Sequence, residues 1–210
     1  MKAIYLILPL LLLSLLSCRY ERKECPLPDE TSKAIDTMTI VMQPFDDFPA
    51  YLADSLFKQL KAVNPKVVLY EPIPLPEEAY YKPRNRYRAD SLNRFLWQMA
   101  TTKSVVIGLT TKDISVTNGS IEDWGVMGLA YMPGHSCVIS TFRLSKKNLQ
   151  EQLFKVAIHE LGHTQGLPHC DFDKSCYMRD AAGKNPLDEE THFCPSCRLF
   201  LEEKGWKLTS

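Results

Sequence analysis

The residues His159, Glu160, His163, Gly166 and His169 form the string His-Glu-x-x-His-x-x-Gly-x-x-His, and no other feature limits the possible folds of this chain as sharply. Two imidazoles four residues apart share one face of a helix, so both can reach a single point with Glu160 beside them. Glycine takes a left-handed backbone at little cost, which ends the helix at Gly166 and lets the chain turn back to bring in His169. Three neutral imidazoles around one ion leave a fourth position for water, the arrangement of a catalytic rather than a structural zinc. Taken singly, a histidine is more often a satisfied polar group and a glutamate a solvated charge. The joint spacing on one helix is what sets these residues apart. His135 and His192 stand outside it and read as ordinary polar residues.

The surrounding pattern predicts where that helix sits. Thr37 to Phe45 alternates in the manner of a strand, Phe48 to Val63 carries Leu52, Leu56, Leu60 and Val63 at helical spacing, and Lys66 to Tyr70 reads as a second strand. Ala89 to Ala100 predicts a second helix and Ser104 to Leu109 a third strand, giving the alternation of an α/β layer. Val126 to Tyr131 and Cys137 to Thr141 flank the turn-like break Met132-Pro133-Gly134-His135, which suits a hairpin or adjacent strands. With Ser145 as N-cap, Lys146 to about Gln165 reads as one long helix, apolar along Leu149, Leu153 and Val156 and again along Phe154, Ile158 and Leu161. A helix apolar on several sides is expected to be central and buried.

With 210 residues, 45% of them hydrophobic and 24% charged, the chain has room for one ordinary core and no second large domain. Lys+Arg 25 against Asp+Glu 25 leaves no net charge, so no nucleic-acid footprint is expected. At the N-terminus, Lys2 precedes an apolar run from Ala3 to Leu16, too short for a convincing membrane span. Leu15-Leu16-Ser17-Cys18 resembles a bacterial lipobox, which predicts cleavage before Cys18, lipid attachment to it and an extracytoplasmic, membrane-anchored protein. The alternative is an ordinary secretory signal with an incidental cysteine. Residues 1–17 are thus expected to be a signal peptide, 18–36 a polar tether and 37–210 the domain.

Cys170, Cys176, Cys194 and Cys197 all follow the helix, the last two as Cys-Pro-Ser-Cys. Four thiolates complete a closed tetrahedral structural zinc, and the close final pair suits two ligands of one ion. Two disulfides are the alternative, because thiols in an oxidising compartment tend to oxidise unless a metal holds them. Cys25 and Cys137 could form a disulfide between tether and domain.

The histidine string is the metzincin signature, and with His169-Cys170, Cys176-Tyr177-Met178 and Cys194-Pro195-Ser196-Cys197 the chain resembles the archaemetzincins from about Thr37 to Trp206. Trp124 to Ala130 and Val138 to Arg143 resemble the family's stretches before the zinc helix. Five residues separate Cys170 from Cys176, one more than is usual in the family, and the gap from Met178 to Cys194 is slightly shorter than usual. The resemblance implies a single α/β (α+β-like) domain with a twisted mixed sheet, a central zinc-binding helix and a cysteine-rich, zinc-bound C-terminal segment. It implies Met178 as an apolar floor under the imidazoles and Val126 to Tyr131 as an antiparallel edge strand lining a cleft. Such a strand can pair with an extended peptide or protein substrate.

The function expected from these residues is zinc-dependent peptide hydrolysis with Glu160 as general base, using two zinc ions per chain. A peptide-binding or scaffold module at a membrane surface is the alternative. Retention of Glu160 favours the enzyme, because a module without turnover needs only the ligands. Tyr177, directly before Met178, is assigned no catalytic role, and nothing in the sequence specifies an oligomeric state.

Overall fold

The structure is a computed structural model that describes residues 37–208. The expected leader and tether, with Cys18 and Cys25, lie outside the described residues. In chain order the elements are β1 (Thr39–Pro44), α1 (Ala50–Val63), β2 (Val67–Leu69), β3 (Tyr80–Tyr81), β4 (Arg86–Arg88), α2 (Ala89–Trp97), β5 (Ser104–Thr110), β6 (Ile114–Asn118), β7 (Ile121–Val126), β8 (Gly128–Ala130), β9 (Ser136–Ser140), α3 (Leu149–Thr164) and α4 (Pro195–Glu202).

Five strands form the main sheet in the order β2-β1-β5-β9-β8. The first four run parallel, and β8 joins β9 antiparallel at the edge. The central strands bury both faces, as parallel strands covered by helices must. Ile40, Met42, Val105, Ile107, Cys137 and Ile139 enter the core that contains residues of α1 and α3, while Val41, Val106 and Val138 enter the one that contains residues of α2. This strict alternation fixes register, since a slip of one residue would exchange the two faces. Gly108 is the small residue of the second face, where a Cβ would stand 2.4 Å from Leu96 Cδ1.

A second sheet, β3-β4-β6-β7, was not anticipated from the sequence. Its strands are short and polar, and ion pairs join them: Arg86 meets Asp113 at 2.6 Å and Asp123 at 2.8 Å, and Arg143 reaches Asp113 at 2.8 Å. The expected continuous strand from Val126 to Tyr131 is divided. Val126 pairs with Ile114 in the second sheet, Gly128 pairs with Ile139 in the first, and the chain changes sheets at Met127.

The helix carrying the histidines is shorter than predicted. It begins at Leu149 after Asn148, and Ser145 is not its cap. Gln152 explains the shift: its Oε1 accepts from the Ser145 backbone N–H at 2.8 Å, while the Ser145 hydroxyl accepts from Lys147 N at 3.3 Å. At the other end Gly166 has φ of 93°, Gly166 N donates to His163 O and Leu167 N donates to Gly162 O. That is a Schellman termination, which satisfies the last carbonyls and reverses the chain, as predicted for this glycine.

Candidate metal centres and the cleft between them and the sheet edge

The helix end and the following turn do more than redirect the chain. His163 Nδ1 lies 2.8 Å from Leu167 O, and His159 Nδ1 lies 2.7 Å from Tyr177 O. A carbonyl can only accept, so each Nδ1 carries the proton and each Nε2 presents a lone pair. Those two Nε2 atoms are 3.0 Å apart, and a donor atom of His169 lies within 4.8 Å of both. Facing lone pairs repel, whereas tetrahedral coordination with Zn–N of about 2.0–2.1 Å places nitrogens roughly 3.3 Å apart. The three imidazoles therefore fit a zinc ion. Burial pushes His159 down to about 3, reinforced by His163, and burial likewise lowers His163, so both are neutral donors at physiological pH.

Glu160 projects beside this cluster from the same turn of α3 and is 7% exposed. Burial pushes its carboxyl up to about 8. A Cβ built on Gly128 would stand 2.5 Å from Glu160 Oε1 and 2.6 Å from its Cγ, so the backbone of β8 lies directly against this side chain. Gly162 meets Met178 in the same way, with its Cβ position 2.8 Å from Sδ. Met178 is fully buried against the helix that carries His159 and His163.

The four cysteine sulfurs lie within 4.8 Å of one another and all four residues are buried. Cys170 Sγ and Cys194 Sγ are 3.7 Å apart, far beyond a disulfide bond of about 2.05 Å. Tetrahedral Zn–S distances of about 2.3 Å require sulfurs about 3.8 Å apart, so this set also fits zinc. The sites share backbone: Cys170 directly follows His169, Cys170 N donates to Met178 O at 2.8 Å, and Tyr177, whose carbonyl holds His159, sits between Cys176 and Met178. The Tyr177 hydroxyl is engaged by Thr191 O at 2.7 Å. Cys137 is fully buried on β9 and its suggested partner Cys25 is outside the described residues. His135 bonds Ser104 O through Nδ1, and His192 pairs with Asp173 at 3.0 Å, so both lie outside the clusters as expected.

A cleft of about 430 Å³ adjoins the histidines, bounded by residues 124–128 on one side and 179–187 on another. Trp124 closes onto Gly183, whose Cβ position is 2.8 Å from Trp124 Cζ2. The bonds Ser140 N to Met127 O and Tyr131 N to Ser136 O set the register of β8 and β9. Alternate residues of an antiparallel edge strand direct their backbone groups outward, so Gly128 and Ala130 present N–H and C=O groups that are unpaired among the described residues along the open side of β8. Gly128 carried a signal legible in the sequence, since glycine inside a strand is a recognised sign of close approach. Glu190 also lines the cleft and was not legible in the sequence, because among Asp188, Glu189 and Thr191 no spacing distinguishes it from solvated surface charge.

Residues 35–203 match the family described as Peptidase family M54. The chain is 30% identical over 179 residues to the archaemetzincin of Halobacterium salinarum, covering 77% of this chain and 98% of that protein. It is 35% identical over 132 residues to the archaemetzincin of Methanopyrus kandleri, covering 61% and 73%. The crystal structure of the M. kandleri protein superposes with a TM-score of 0.67 at 29% identity, covering 80% of this chain and 96% of that one. The archaemetzincin of Archaeoglobus fulgidus, complexed with malonate, gives 0.66 at 28% identity, covering 78% and 99%.

Proposed function

Because this chain belongs to Peptidase family M54, the archaemetzincin zinc metallopeptidases, we propose that it hydrolyses peptide bonds at the His159, His163 and His169 cluster with Glu160 as general base. The observation that carries this reading is the convergence of neutral, backbone-anchored imidazoles on one point beside a buried carboxylate. Zinc held by the three imidazoles would supply Lewis acidity toward a water and a peptide carbonyl. Glu160 accepts the water's proton and later delivers it to the leaving amine. The Nδ1 bonds to Tyr177 O and Leu167 O keep both imidazoles from rotating as charge develops. Met178 supports the imidazoles from below. Cys170, Cys176, Cys194 and Cys197 would hold a second, structural zinc.

An extended substrate adds to the open side of β8, using the outward N–H and C=O groups of Gly128 and Ala130. This places the scissile bond over Glu160 without demanding particular side chains. Gly128→Ala tests the geometry: the added methyl displaces the Glu160 carboxylate, so kcat is expected to fall by about tenfold or more. Because the methyl also meets Glu160 Cγ at 2.6 Å and the side chain is buried, the unfolding temperature should fall modestly as well; unchanged kcat would place Glu160 elsewhere in the reaction.

Turnover of a mixed peptide library by zinc-loaded protein tests the function, with loss of cleavage on chelation and recovery on adding zinc as the expected result. If the loaded protein cleaves nothing yet binds extended peptides, a binding module replaces the enzyme. Metal analysis is expected to return two zinc ions per chain. One ion, with the four cysteines recovered as disulfides, would reject the structural site.

Among the described residues no helix is long and apolar enough to cross a membrane. We propose that the protein is extracytoplasmic and anchored to a bacterial membrane through lipid on Cys18, on the strength of Leu15-Leu16-Ser17-Cys18. Cys18→Ser should shift the protein from the membrane to the soluble fraction. Unchanged membrane association, with no acyl label on the unaltered protein, would refute the anchor.

A further inference from the structure

The cleft contains a carboxylate that hydrolysis does not use. Glu190 lines it on the segment after Met178, with Val156 and Leu187 among its companions. It is only 2% exposed, and its Oε2 is buried without a hydrogen-bond partner among the described residues. That oxygen has lost hydration with no hydrogen bond in return, and buried polar atoms of this kind are rare enough to require a reason.

The neighbouring cations do not supply one. Lys155 and Arg179 are near enough to influence Glu190, but both are committed. Lys155 Nζ meets Glu151 Oε1 at 2.6 Å and donates to Leu187 O at 2.8 Å. Arg179 Nη1 meets Glu189 Oε2 at 2.7 Å and donates to Lys174 O at 3.1 Å. Arg143 is paired with Asp113, and Lys184 lies on the exposed stretch of the cleft wall.

The geometry points to Glu190 as a specificity-determining residue that receives the lysine or arginine side chain of a peptide substrate, an inference that rests on the peptidase reading above. The long aliphatic stem of such a side chain suits the apolar surface of Trp124, Val156 and Leu187, and its charged end then meets the buried carboxylate. Burial pushes Glu190 up to about 7, against the pull of Lys155 and Arg179. An arriving cation favours the ionised form, so the pair strengthens as it forms. A site that leaves a buried polar group unpaired discriminates strongly against a substrate lacking the matching group.

The test uses the full chain loaded with zinc and a position-randomised peptide library. Lysine and arginine should be enriched at one position beside the cleaved bond. For two peptides that differ only in lysine against norleucine there, kcat/KM should favour lysine by about tenfold or more. In Glu190→Gln and Glu190→Leu that ratio should fall to about one, with an unfolding temperature no lower than that of the unaltered protein. Cleavage without a basic preference, enrichment of acidic residues instead, or a lysine preference that survives Glu190→Gln overturns the inference and leaves the peptidase reading intact. If no peptide is cleaved, the peptidase reading falls. Calorimetric binding of the same two sequences as peptide hydroxamates then decides the role of Glu190: a lysine preference lost in Glu190→Gln upholds it, and equal affinities overturn it.

Discussion

Glu160→Gln is expected to slow peptide hydrolysis by about 10²–10⁴-fold, the range associated with losing a positioned general base, while zinc content and fold remain those of the unaltered protein. Glutamine keeps the size of the side chain but cannot take a proton from water. The residue is outside the ligand set, since the cluster of possible ligands comprises His159, His163 and His169. Removing the buried carboxylate relieves the burial that pushes it up to about 8, so the unfolding temperature should hold or rise. His163→Ala should behave differently, losing the catalytic ion together with activity while the cysteine cluster keeps its own. Metal analysis beside steady-state kinetics separates the two cases, and hydrolysis by Glu160→Gln at the unaltered rate would show the mechanism to be wrong.

Cys176→Ser should have the largest effect on stability. Cys176 is fully buried in the main core together with Met178. Binding of a structural zinc is associated with about 10–16 kcal/mol in small zinc peptides, comparable with the entire stability of an ordinary domain at about 5–15 kcal/mol. Loss of one thiolate should lower the unfolding temperature by more than about 10 °C. Because Tyr177 O fixes the ring of His159, the histidine site should also lose about 10–100-fold in zinc affinity, as when other partners of metal ligands are removed. Competition with a chelator, monitored at both sites, measures this. Unaltered affinity at the histidines would show that the two centres are independent.

The sequence disclosed those parts of the molecule whose physical constraint is local. A helical face, a glycine stop and a return loop are written in consecutive residues, so the histidine cluster and the end of α3 at Gly166 were legible, as was the alternation of β1, α1, β2, α2 and β5, though not β3 and β4 between them. Pairing partners were not. The apolar run from Val126 to Tyr131 gives no indication that its first residue bonds to Ile114 and its third to Ile139, because apolar character does not name the neighbour. The second sheet was invisible for a related reason: Arg86, Asp113 and Asp123 read as surface charge until the fold brings them together. Ser145 was a sound N-cap by composition, and only the distant side chain of Gln152 displaces it.

The tripeptide Cys176-Tyr177-Met178 serves both metal clusters at once, which has a consequence for how sequences of this kind diversify. Lengthening the chain within it would separate Cys176 from the carbonyl that holds His159 and from the sulfur packed against Gly162. The stretches on either side carry no such obligation. Between Cys170 and Cys176, Asp171, Phe172 and Lys174 are exposed, and before Cys194 so is the run from Ala182 to Asn185. Changes in length are therefore best tolerated in these exposed segments, and because Ala182 to Asn185 also lines the cleft, what enters it can be remodelled while the tripeptide is kept.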